Sequence, residues 1–205
     1  MTELIFATHN PNKVKEIRSL LDASGFRVIS LEEAGFTREI PEPHDTLEDN
    51  ASEKSQTIFR LTGKDCFSED TGLEVEALNG APGVYSARYA GPQKSAADNI
   101  RLLLRNLEGH GDRRARFRTI ISLILDGKEH RFEGVCPGHI LEAATGEEGF
   151  GYDPVFVPEG AERSFAQMTL GEKNRYSHRA RAFQKLEAFL APRPPKGGER
   201  VKGER

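Results

Sequence analysis

The 205-residue chain has only two cysteines, Cys66 and Cys136. Two thiols make neither a disulfide framework nor a zinc set, so both read as buried thiols. No apolar run approaches the roughly 20 residues that span a bilayer, which argues against a membrane protein. The first residues make no signal peptide. "LIFA" is too short for the apolar segment and "THNPNK" interrupts it, so a reducing cytoplasm is the expected compartment. Positive charge is not in excess: 29 Lys and Arg face 32 Asp and Glu, a formal net charge of -3. That balance disfavours a general nucleic-acid binder and makes any phosphate recognition local. No G-x-x-x-x-G-K-[ST] loop, G-x-S-x-G elbow, zinc spacing of Cys and His, or internal repeat occurs.

What remains is an ordinary globular composition, 37% hydrophobic and 30% charged. The length suits one large domain with a real core. "ELIFAT" reads as a buried strand ending near Thr8. Asn10 then caps a helix with Pro11 at its first position, Val14, Ile17, Leu20 and Leu21 on one face, and Gly25 as the stop. "FRVISL" is the next strand. A helix from Thr46 carries Leu47, Ala51, Ile58 and Leu61 inward and closes at Gly63. "DCFSED" is a strand that ends at a tight turn on Gly72, and "NGAPGVYSARYAG" is a loop. Ser95 caps a helix with Ile100, Leu103, Leu104 and Leu107 inward.

"ARFRTIISLILDGKEHRFEGV" reads as a hairpin. Phe117, Thr119, Ile121, Leu123 and Leu125 share a face, and Asp126-Gly127 makes the turn. "GHILEA" adds a further strand. Ser177 caps the last helix, with Ala180, Phe183, Leu186, Phe189 and Leu190 inward. The class is α/β with a mixed sheet, in one domain over residues 1–191. Residues 192–205 carry proline, glycine and charge with little to bury, and read as disordered.

Four stretches carry chemistry. In "THNPNK" a strand delivers Thr8, His9 and Asn10 to a helix start, whose free N–H groups and dipole favour an anion such as phosphate. Lys13 is mildly unfavourable there for the helix alone, so something negative is expected beside it. In "FSEDTGLEVEAL", Glu69, Asp70 and Thr71 form either a solvated acidic turn or a metal-binding, water-activating corner. Mg²⁺ commonly uses one or two carboxylates plus substrate phosphates. In "TLEDNASEK", Asp49 reads first as a capping partner of Thr46, and Lys54 shares a helix face with Asn50. "GFGYDPVF" packs Phe150 and Tyr152, which can stack on a base or fill core, around Gly151 and Asp153, whose carboxylate can accept from a ring N–H. In "GEKNRYSHRARAF", Lys173 and Arg175 precede His178 and Arg179 at a helix start, where cations are disfavoured unless an anion or an electron-rich ring edge offsets them.

In this order, "FATHNPNKVKEI", "SEDTGLEVEALNGAPGVYSARYAG", "GFGYDPVF" and "EKNRYSHRARAF" resemble the signatures of one family. This is the family of noncanonical purine nucleoside triphosphate pyrophosphatases, also called the inosine triphosphate pyrophosphatase family. The resemblance runs from Thr8 to Phe183. It implies Mg²⁺-dependent hydrolysis of inosine, deoxyinosine and xanthosine triphosphates to the monophosphate and pyrophosphate. It also implies an elongated mixed sheet, parallel and antiparallel, with flanking helices, two lobes around a cleft, and a homodimer. Thr8, His9, Asn10, Asn12 and Lys13 match the triphosphate-binding segment. Asp70 matches the catalytic acid and metal ligand, with Lys54 nearby, and Thr71 the substrate-contacting residue after it. Phe150, Gly151, Tyr152 and Asp153 match the base-binding turn, and Lys173, His178 and Arg179 the base-reading set.

The chain departs from the family twice. Asp49 stands where the family usually has Glu, a methylene shorter, which suits a water-bridged metal contact. Glu69 stands where the first of two Asp residues is usual. Rival readings are a Maf-like nucleotide pyrophosphatase, a nucleotide-binding module without catalysis, and a nucleic-acid binder acting through the basic tail.

Overall fold

The structure, a computed structural model, describes residues 2–20 and 26–191. Leu21, Gly25 and the tail from residue 192 lie outside the described residues, and with them the buried position, helix stop and disorder expected there. The elements run β1 (Thr2–Phe6), α1 (Pro11–Leu20), β2 (Phe26–Ser30), α2 (Leu47–Thr62), β3 (Cys66–Val75), β4 (Pro82–Gly83) and α3 (Ala96–Asn106). They continue as β5 (Arg114–Leu125), β6 (Lys128–Ile140), β7 (Phe156–Pro158), α4 (Leu170–Asn174) and α5 (His178–Leu190). The expected caps are in place. Asn10 accepts from the Asn12 and Lys13 N–H groups, and Thr46, Ser95 and Ser177 each accept from the N–H three residues on. Gly63 closes α2 in the left-handed conformation.

Strand order is β2-β1-β3-β5-β6-β7, with β4 also on β3. β1 pairs parallel with β2 and β3, and the other pairings are antiparallel, so the sheet is mixed. The β5–β6 hairpin turns at Asp126-Gly127, both at positive φ. "GHI" adds no separate strand. It prolongs β6, because the hairpin register continues to Arg114↔His139.

One edge of β3 is shared by two short neighbours. β1 meets it at Cys66 and Phe67, and β4 at Leu73 and Glu74. Between them, Ser68 to Gly72 has no strand partner on that edge, and a cleft opens there. β3 does not end at Gly72, as the sequence suggested; it runs on to Val75. Gly72 serves a close approach instead, since a Cβ there would stand 2.6 Å from the Gly83 carbonyl oxygen of β4.

Helices cover both faces on the near side of the cleft. On one face α2 packs on the sheet, with Ser68 donating to the Ala51 carbonyl and Ser55 sharing a 2.7 Å hydrogen bond with Ser122. Its last turn presents Phe59 to the core and leaves Leu61 exposed, contrary to the helical-face reading. On the other face α1 and α5 bury Ile17, Phe183 and Leu186 against Phe6 and Phe67, whose rings stack at 4.4 Å. Beyond the cleft, a second core gathers Leu73, Leu103, Phe117, Phe156 and Phe165.

Candidate active site

Successive side chains of a strand point to opposite faces, and this decides what adjacent Glu69 and Asp70 can do. Asp70 faces α2 and meets Lys54 at 3.1 Å. Glu69 faces α5 and takes two hydrogen bonds from Arg179, at 2.8 and 2.7 Å, with Lys13 at 3.1 Å. Two neighbouring carboxylates thus belong to different clusters on opposite faces of β3.

At the Asp70 end, a second acid enters that sequence reasoning missed. Glu42, from the connection between β2 and α2, meets the Lys54 ammonium at 2.5 Å. Two carboxylates therefore share one buried lysine. Burial raises the Asp70 pKa; Lys54 offsets part of this, and the Glu42 charge adds to it. Glu42 is also penalised by burial, but Lys54, Lys13 and Arg88 more than compensate and lower its pKa. Burial disfavours the charge on Lys54, yet Asp70 and Glu42 outweigh it and raise its pKa. The result is a cation fixed in place beside an acid with a raised proton affinity, a usual condition for a general base. Asp49 stands apart. It is exposed, is bonded to Thr46 at 2.7 Å, and does not line the cavity.

At the other end, three buried acids hold two buried cations. Lys173 donates to Glu16 at 2.7 Å and to Asp153 at 2.5 Å, while Arg179 donates to Glu16 and Glu69. Burial penalises Glu69, but Arg179 and Lys13 hold its carboxyl well below the usual range. Glu16 was invisible in the sequence because it lies within α1, 157 residues from Lys173. Asp153 has one oxygen already engaged, by Lys173 and by the Phe150 N–H at 2.9 Å. Phe150 lies against both cations, its ring centre 5.1 Å from Lys173 and 5.6 Å from Arg179. Tyr152 fills core and donates to the Ser86 carbonyl at 2.8 Å.

His178 stacks on Phe117 at 4.6 Å. Burial, with Arg179 and Lys173 beside it, pushes its pKa far down, so the ring is neutral. Among the described residues, its Nδ1 is the one buried side-chain polar atom without a hydrogen-bond partner. An orphaned polar atom in a cavity wall is a place where a ligand group fits. Gly134 of β6 makes this arrangement possible, since a Cβ there would collide with the His178 carbonyl.

Between the ends lies a cavity of about 590 Å³, within the range of small-molecule sites. Thr8, His9, Asn10, Asn12 and Lys13 line it beside Asp70, Lys54 and Thr71, and Phe150 to Asp153, Lys173, His178 and Arg179 line the rest. Every residue expected at the site is therefore gathered there except Asp49. Thr71 contacts its cross-strand neighbour Thr119 at 2.6 Å and Arg179 at 3.4 Å.

Residues 4–189 match the Ham1 family. The chain belongs to this family. It is 50% identical to a dITP/XTP pyrophosphatase of Christiangramia forsetii, over 92% of the chain and 99% of that protein. It is 45% identical to the dITP/XTP pyrophosphatase of Bacillus subtilis, over 93% and 98%. Among solved structures, the Staphylococcus aureus Ham1 protein superposes with a TM-score of 0.82 at 38% identity, covering 92% of the chain and 98% of its own. A Coxiella burnetii HAM1 protein gives 0.84 at 34%, covering 93% and 98%. The mixed sheet, flanking helices and two-lobed cleft of this Ham1 member are those of its structural relatives.

Proposed function

We propose that this Ham1 member hydrolyses inosine, deoxyinosine and xanthosine triphosphates to the monophosphate and pyrophosphate, removing them from the nucleotide pool. Membership of a family whose relatives are dITP/XTP pyrophosphatases supports the reaction class. The observation that carries the reading is the pairing, in one cavity, of a lysine-braced acid at one end with fixed donors and an orphaned His178 Nδ1 at the other.

The triphosphate lies along Thr8 to Lys13, at the α1 N-terminus, with Lys13 and Lys54 neutralising charge. Asp70 holds the attacking water and takes its proton; the water adds to the α-phosphorus and pyrophosphate leaves. The donor set fits Mg²⁺. Among the described residues no group of three or more His, Cys, Asp and Glu forms a protein cage, but Asp70 and Glu42 converge beside the phosphate segment. When bound there, Mg²⁺ supplies further charge neutralisation on the phosphate oxygens.

At the far end Phe150 stacks on the base, and Lys173, Arg179 and His178 meet its 6-keto edge. Adenine presents an amino donor at that position, so donor faces donor and adenine is disfavoured. A cytoplasmic homodimer completes the proposal and rests on the family likeness; light scattering tests the dimer. Inosine triphosphate with Mg²⁺ should yield pyrophosphate, and orthophosphate as first product would overturn the reading. A substrate panel that favoured modified pyrimidine nucleotides would point to the Maf-like alternative.

A further inference from the structure

Three lysines line the phosphate end of the cavity, and they differ in what already holds them. Lys13 is tied to buried Glu69, and Lys54 to Asp70 and Glu42. Lys94 has a single acidic partner among the described residues, Glu39 at 2.5 Å, and the two side chains are 52% and 74% exposed. A solvated pair of this kind is the easiest of the three to give up.

Its position is specific. Glu39 follows Arg38, whose carbonyl takes a 2.9 Å hydrogen bond from His9 of the phosphate segment. Lys94 comes from the opposite lobe, in the turn before α3, and holds a left-handed backbone at φ 53. Its N–H closes that turn onto the Gly91 carbonyl at 3.3 Å, which fixes where the side chain leaves the backbone. The pair therefore spans the cleft mouth, beside the place where the outer phosphates of a triphosphate would emerge.

We propose that Lys94 binds the pyrophosphate half of the nucleoside triphosphate, exchanging the Glu39 carboxylate for the terminal phosphates. The inference rests on the pyrophosphatase reading above. A polyphosphate end brings several negative charges against one from Glu39, and the exchange uncovers no buried ion.

The test uses the full chain at fixed Mg²⁺, with pyrophosphate and inosine monophosphate titrated separately by calorimetry. Lys94→Met, a change at an exposed position, should weaken pyrophosphate binding about 10-fold or more, the scale of one charged hydrogen bond. Inosine monophosphate binding should stay unchanged. Glu39→Gln should tighten pyrophosphate several-fold by removing the competing anion. Unchanged pyrophosphate binding in Lys94→Met, or equal loss of both ligands, would overturn the proposal. If inosine triphosphate releases no pyrophosphate in the wild type, the broader reading fails on its own, because these titrations need no turnover.

Discussion

The two ends of the cavity are built from the same residue types and behave differently. At the base end, Glu16, Glu69 and Asp153 each have a cation within hydrogen-bonding distance in a buried network with Lys173 and Arg179; Glu16 and Glu69 are held below the usual carboxylate range, while burial raises Asp153. At the phosphate end, Asp70 and Glu42 compete for Lys54, and Asp70 is left with a raised proton affinity. A paired network fixes donors in space, which is what discriminating one base from another needs. An under-compensated acid holds a site ready for chemistry and costs stability.

The strongest test of this contrast is Asp70→Asn. Turnover should fall by on the order of 10²–10⁴-fold, the share of a general base. An acid whose pKa is higher folded than unfolded costs stability when ionised, so the melting temperature should hold or rise at neutral pH. A variant that melted several degrees lower would erase the distinction between the ends.

Glu69→Gln should do the reverse. Removing one side of a buried pair typically costs about 3–5 kcal/mol, read by urea unfolding. The Glu69 pKa is depressed, so its stabilisation is present above the ordinary carboxylate range and is lost only as the solution becomes strongly acid. The variant should also lose preference for inosine over adenosine triphosphate, and intact stability would show that Arg179 needs only Glu16.

A subtler expectation concerns pH. Turnover needs Asp70 ionised, and in the metal-free enzyme burial and the Glu42 charge raise its pKa, so the acid limb of kcat/KM, which reports the free enzyme, should lie above the usual carboxylate range. In the residual activity of Glu42→Gln the limb should move to lower pH, because a neighbouring negative charge is gone; a fixed limb would remove Asp70 as its source. The smallest effect is Ser177→Ala, about 1 kcal/mol from a lost cap at the α5 start, with base choice disturbed more than phosphate binding. Thermal melts and the two nucleotides' KM values read this out.

The helix caps at Asn10, Thr46, Ser95 and Ser177 and the Asp126-Gly127 turn were legible because each depends on a few neighbouring residues. So were most cavity residues, which sit in compact runs of the chain. Leu61 was misplaced because helical periodicity does not say which turn meets the sheet. The end of β3 was misread because Gly72 signals a turn as readily as a close approach.

The sequence by itself determined the strands, helices and turns, and the runs that carry the chemistry. Only the tertiary structure decided that Glu69 and Asp70 serve opposite faces, that Glu42 rather than Asp49 stands beside Asp70, and that Glu16 braces Lys173 and Arg179. Those are pairings between residues remote in the chain, set by strand alternation and by the need of buried charges for partners, and no local pattern encodes them.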